Sequence, residues 1–123
     1  MPRLGSHVVG IVEMQSTGHV DGKNQNITNP VVTQVVKGCM FESYIRGPEE
    51  HQEDTITSFE RAYAFLPYIE GVTTTITNAN WLQPQRPDAQ AQRNYKVLGD
   101  PIVQYDSRGR GNHVWIVCEW RAG

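Results

Sequence analysis

TITSFERAYAFLP, residues 55–67, fits two periodicities at once. Read in steps of two, Phe59, Tyr63 and Phe65 share one face of a strand, with Arg61 interrupting the alternation. Read at i, i+3, i+4 and i+7, Phe59, Ala62, Tyr63 and Leu66 line a helical stripe. The β-branched opening, Thr55, Ile56 and Thr57, tips the balance toward strand, and Pro67 ends either element. The choice decides the fold class, because the rest of the chain carries few helix signals.

Working outward, apolar runs alternate with Gly, Pro, Asn and Asp, the pattern of short strands and turns. HVVGIVEM (7–14) reads as a first strand, and QSTGHVDGKNQNITNP (15–30) as a loop or loose hairpin tip with a turn at Asp21 and Gly22. VVTQVVKGCMFESYI (31–45) reads as a strand with a bulge or bend at Gly38. Residues 71–92 start Thr-rich, as a short strand, and continue Pro- and Gln-rich, as a long exposed loop. RNYKVLG (93–99) and IVQY (102–105) are strand segments joined by a kink at Gly99, Asp100 and Pro101. DSRGRGN (106–112) is a turn, and HVWIVCEW (113–120) is the last strand. Its Val114, Ile116, Cys118 and Trp120 form one apolar face, and His113, Trp115, Val117 and Glu119 a mixed one. A half-apolar second face is what a strand shows when a neighbouring subunit or loop covers part of it. Five to seven short strands with long loops make an all-β protein, a small β-barrel or sandwich. It is read as one domain over residues 1–123, with 1–6 and 122–123 as tails.

A chain of 123 residues buries roughly two-thirds of its unfolded surface around one core. Its net charge of −2 argues against general electrostatic binding to nucleic acid. The charge is uneven: residues 1–83 hold five basic and nine acidic groups, and 84–123 hold six and four. No apolar run approaches the ~20 residues of a membrane-spanning helix, and MPRLGSHVVG lacks a signal peptide's apolar core, so a cytoplasmic product is expected. Cys39 and Cys118 lie far apart without a C-x-x-C pair, which reads as two buried thiols rather than a metal site. A pair able to oxidise is the alternative.

The densest chemistry is GPEEHQED (47–54), where Glu49, Glu50, Glu53 and Asp54 place four carboxylates in eight residues. Paired-carboxylate hydrolysis needs two groups fixed across a cleft by rigid elements, and neighbours on one loop cannot be held so. The spacing around His51 and Gln52 matches no metal site, and a Ca²⁺ loop would alternate ligands around an internal glycine. A weak cation site or a solvated loop remains. His7 and His113 stand at strand starts as satisfied structural histidines, and no nucleophile has a partner motif. Arg108 and Arg110 in SRGRG could touch phosphate; a plain hairpin turn or a salt bridge to a neighbouring subunit is the simpler reading. Trp115 and Trp120 fall on opposite faces of one strand, so at most one is core and the other is an interface anchor. Trp81 joins them as candidate contact surface. No catalytic group, cofactor or metal is called for, and the pattern is that of an assembly component.

The order of elements resembles the head-to-tail stopper (head-closure, or neck) proteins of tailed bacteriophages with long non-contractile tails. The shared pattern is a strand ending Val-x-Gly-Cys (36–39), a polar excursion, and a proline-terminated apolar run (65–67). A Tyr-x-Val-x-Gly-x-Pro segment (95–101), a glycine turn and a His-headed final strand (113–120) follow. The similarity covers about residues 30–121, and the Thr-rich stretch 71–78 departs from it. It implies a cyclic homo-oligomer of six or twelve barrels in the virion, made in the host bacterial cytoplasm. The ring would meet the head-tail adaptor on the portal side and the tail terminator on the other, with double-stranded viral DNA passing through unread. It also implies a channel-gating loop, here Arg46, Gly47, Pro48, Glu49, Glu50, His51, Gln52, Glu53 and Asp54, with Trp81, Trp115, Trp120, Arg108 and Arg110 as possible subunit interface. Alternatives are another head-tail joining protein or tail terminator of the same virion, and a ligand-binding β-barrel.

Overall fold

The structure, a computed structural model, describes residues 5–20, 22, 26–50, 56–85 and 92–122. Six strands carry the chain: β1 (His7–Val20), β2 (Asn26–Glu50), β3 (Ile56–Pro67), β4 (Trp81–Pro84), β5 (Tyr95–Tyr105) and β6 (Gly111–Arg121). They close into an antiparallel barrel in the order β1-β2-β3-β6-β5-β4. The ambiguous segment is strand β3, and its small residues decide which face turns in. Ala62, Ala64 and Leu66 are fully buried and pack with Val114, Ile116 and Cys118 of β6 and Tyr95 and Val97 of β5. Tyr63 and Phe65 point outward. A narrow closed barrel has no room for large side chains at every inward position, so the aromatic face is the outer one.

Two backbone irregularities read from the sequence are present. Gly38 has φ 76°, where an L side chain is strained, and the β1–β2 register shifts beside it, as in a bulge. The β5–β6 register shifts between Leu98 and Ile102, at the expected Gly-Asp-Pro kink.

Other expectations are corrected. Residues 15–30 are largely strand, because β1 runs to Val20 and β2 starts at Asn26, making one long hairpin. Residues 46–50 are likewise strand and not loop. Arg46 pairs with Glu60, Gly47 with Phe59, Pro48 with Ser58, Glu49 with Thr57 and Glu50 with Ile56. The stretch expected as a long loop contains β4, which closes the barrel between β1 and β5. The Thr-rich segment forms a single 3-10 turn over Thr73–Thr75 in place of a strand. There the buried Thr73 hydroxyl donates to the Pro67 carbonyl at 2.8 Å and accepts the Ile69 N–H at 2.8 Å. Thr75 donates to the Val72 carbonyl at 2.9 Å. The hydroxyls meet backbone groups at and just beyond the end of β3, a local bonding that suits threonine in this turn.

At 25 residues β2 spans the molecule, and its two hairpins leave the barrel at opposite ends. At one end, residues 48–50 and 56–58 form a two-stranded finger beyond the last β3–β6 pair, Phe59 with Arg121. At the other, the end that also carries the β5–β6 turn, the β1–β2 ribbon projects.

Gly111 opens β6 beneath the ring of Tyr68: a Cβ there would lie 2.3–2.5 Å from three ring atoms. Gly111→Ala is therefore expected to displace Tyr68 and lower stability by about 1–3 kcal/mol, the usual range for overpacking. Urea unfolding of the variant against wild type checks this. Gly109→Ala is a poor control because its φ of 76° adds strain; Gly22→Ala, with open space around the Cβ, is the better one.

Candidate assembly surfaces

The first half of the acidic segment, residues 47–50, is strand paired with residues 56–59. Within it Glu49 and Glu50 pair with Thr57 and Ile56. His51, Gln52, Glu53 and Asp54 lie outside the described residues. Cross-strand hydrogen bonds set the two strands, so Glu49 and Glu50 belong to a ribbon and not to a free loop. The strand residues beyond the last barrel pair, Pro48 to Glu50, extend the ribbon by about 10 Å at the usual rise per residue.

The finger is rooted on a group that the sequence reading passed over. Glu60 is buried, at 4% exposure, in the finger end of the barrel. It accepts the Tyr95 hydroxyl at 2.8 Å and the Ser43 hydroxyl, and pairs with Arg93 at 3.2 Å. The Arg93 guanidinium lies 4.0 Å over the ring of Trp120, which packs against the core. A buried carboxylate is tolerated when hydrogen bonds and a cation meet it, and all are present. A signal for it existed: Glu60 shares strand parity with Ala62, Ala64 and Leu66, the inward face.

The outer wall divides into two halves. Strand register places Met40, Phe65, Trp115 and Ile102 in one row across β2, β3, β6 and β5. Glu42, Tyr63, Val117 and Leu98 form the adjacent row toward the finger. Seven of these eight are apolar, so the mixed face of the last strand is part of a band four strands wide. Tyr44 stacks on Tyr63 with centroids 4.1 Å apart, and Tyr63 meets Trp115 at 5.7 Å. Tyr63, Phe65, Gln104, His113 and Trp115 line an open concavity of about 360 Å³. The Trp115 indole N–H is buried without an acceptor among the described residues. The next row is charged: Arg61 and Arg121 flank Glu119 at 3.6 and 3.0 Å, and Lys96 sits 5.1 Å over Trp81.

The sequence-nominated residues thus separate. Trp115 lies in the apolar band, Trp81 in the charged row, and Trp120 faces inward. Arg108 and Arg110 occupy the β5–β6 turn, where Asp106 accepts both backbone N–H groups at 2.9 Å and pairs with the Arg110 guanidinium at 3.6 Å. That turn is satisfied internally. His7 accepts the Phe41 N–H at 3.0 Å, and His113 packs on Phe65, so both are structural as expected. Cys39 and Cys118 are free and buried, as expected, and burial pushes each thiol up to about 12; the nearby Glu60 charge adds to the effect at Cys118. Among the described residues no cluster of His, Cys, Asp and Glu could hold a metal ion, and no helix is long and apolar enough to cross a membrane.

No protein-family model and no curated protein matches the chain. Among solved structures, its fold is similar to that of a chain in the virion of a native gene transfer agent particle, with a TM-score of 0.65 and 11% identity. The similarity covers 99% of this chain and 98% of that one, so the two share the whole barrel architecture.

Proposed function

We propose that the chain is a structural protein of a phage-like virion, and within it the head-to-tail stopper of the neck. The observation that carries the reading is the end-to-end similarity of fold to a virion chain. The order of motifs resembling stopper proteins supports it independently. In this reading copies of the barrel form a closed ring of six or twelve, between the head-tail adaptor and the tail terminator. The acidic fingers turn toward the channel, and the wall of the ring is made from the outer faces of the barrels. The protein acts by position and charge, without catalysis. A tail terminator or another head-tail joining protein would share the fold and differ in its neighbours. The ligand-binding alternative is disfavoured by a barrel interior filled with side chains, including Tyr95, Leu66, Leu82 and Ile116.

Charge gives the fingers a function. Four carboxylates per copy, repeated around a ring, stand within a Debye length (about 8 Å at physiological salt) of their neighbours and are poorly screened. Such a collar repels phosphate, so the duplex does not adhere to it. It also repels itself, which biases the fingers away from closure unless protons or cations neutralise them. Replacing Glu49, Glu50 and Glu53 by Gln and Asp54 by Asn is expected to leave particle assembly intact and to slow DNA ejection several-fold. Ejection timed on purified particles checks this; an unchanged rate removes the gating role.

A further inference from the structure

Building on the gating reading, we propose that a basic recess on β4, β5 and β6 receives the acidic finger of the neighbouring copy when the channel opens. The recess is built around an unmatched cation. Arg61, Glu119, Lys96 and Trp81 follow one another in register across β3, β6, β5 and β4. Glu119 stands opposite Lys96, but its carboxylate meets Arg61 at 3.6 Å and Arg121 at 3.0 Å. Lys96 is left half-buried over the ring of Trp81, 5.1 Å from its centroid, with no ion pair among the described residues. Trp81, Asn94, Lys96, Leu98, Glu119 and Arg121 line a recess of about 290 Å³. Asn94 accepts the Gln83 side-chain N–H at 3.0 Å and keeps its own amide N–H groups as donors. An ammonium and amide donors around an aromatic and aliphatic floor suit a carboxylate carried on a peptide, which brings apolar neighbours with it.

Three features favour the finger of a second copy as the occupant. The first is charge: residues 47–54 hold four carboxylates and no Lys or Arg, the densest acid in the chain. The second is height. The recess includes Arg121, whose pair with Phe59 is the last in the barrel before the finger begins. A cyclic ring keeps all copies level, so each finger root stands at the height of its neighbour's recess. The third is direction. From Ile45 to Glu50 the β2–β3 pairing runs without a register shift. The finger thus leaves along its own strands, and folding back on its own wall would break those pairs. Fingers that repel one another at the axis then have an attractive surface beside them, so opening gains a second electrostatic term. Duplex phosphate is the rival occupant by charge alone, but the acidic fingers at this same end hold it off.

The test uses particles whose full chain carries Thr57→Cys on the finger and Asn94→Cys on the recess, leaving every acid and Lys96 in place. They are treated with a short bis-maleimide at neutral pH before and after DNA ejection, and the links are identified by mass spectrometry of the digested oligomers. The native thiols are buried and protonated, so only the introduced pair reacts. Links from 57 to 94 between copies are expected several-fold more often in emptied particles than in filled ones. Adding Lys96→Met, which keeps a long side chain over Trp81 and removes the charge, is expected to lower those links several-fold and to slow ejection. Equal yields before and after ejection, or links indifferent to Lys96→Met, would overturn the inference. So would a purified chain that binds a short DNA duplex through Lys96 while forming no 57–94 links. A ring with fingers on the axis but no such links leaves the neck reading standing, and a neck without this chain removes both.

Discussion

Tyr95→Ala is expected to lower the free energy of unfolding by about 4–5 kcal/mol, the upper range for removing a buried aromatic side chain. Tyr95 is fully buried, and its ring meets Phe41 edge-on with centroids 4.9 Å apart. Removal opens a cavity at the finger end of the barrel. It also takes a hydroxyl from the buried Glu60 carboxylate. Tyr95→Phe separates the two effects: it keeps the ring and is expected to cost about 1–3 kcal/mol through the lost hydrogen bond to a charged group. Urea unfolding curves for both variants provide the check. If Tyr95→Phe equals wild type, the Glu60 cluster is not what anchors the finger end.

Alkaline pH should destabilise the fold through its two thiols. Each has a usual value near 9 and is pushed up to about 12 by burial. Between those values the unfolded chain has released protons that the folded chain still holds, so stability falls as pH rises through that window. The slope is about 1.4 kcal/mol per pH unit for each thiol, reaching roughly 8 kcal/mol for both by pH 12. Below pH 9 both states are protonated and the effect vanishes. Between pH 8 and pH 10, wild type should lose about 3 kcal/mol more than a variant with alanine at Cys39 and Cys118. Equal losses in urea titrations would show that the thiols are not shielded as the structure has them.

The all-β class and most strand positions were legible because hydrophobic alternation in β3 and β6 coincides with turn residues at their ends. The orientation of β3 was less so. Phe59, Tyr63 and Phe65 look like a core face, yet closure of a small barrel leaves room only for Ala62, Ala64 and Leu66 inside. The polar strands at 15–20 and 26–30 were illegible for a different reason: they pair with each other outside the barrel, so neither face shows a buried pattern. β4 was hidden by its four-residue length, too short a run to show a period. Of the candidate surfaces, Trp115 was visible from the mixed face of the last strand. The four-strand band was not, because it depends on register between strands distant in sequence. Glu60 escaped notice beside Arg61, whose break in the aromatic face drew attention to the wrong residue.

The account turns on where the acidic fingers point in the assembled particle. Imaging the neck of the intact virion at residue resolution tests that directly. The expected map shows a ring of these barrels with residues 47–58 of every copy directed at the channel axis. Fingers lying on the outer wall of the neck, or a neck that contains no such barrel, would contradict it.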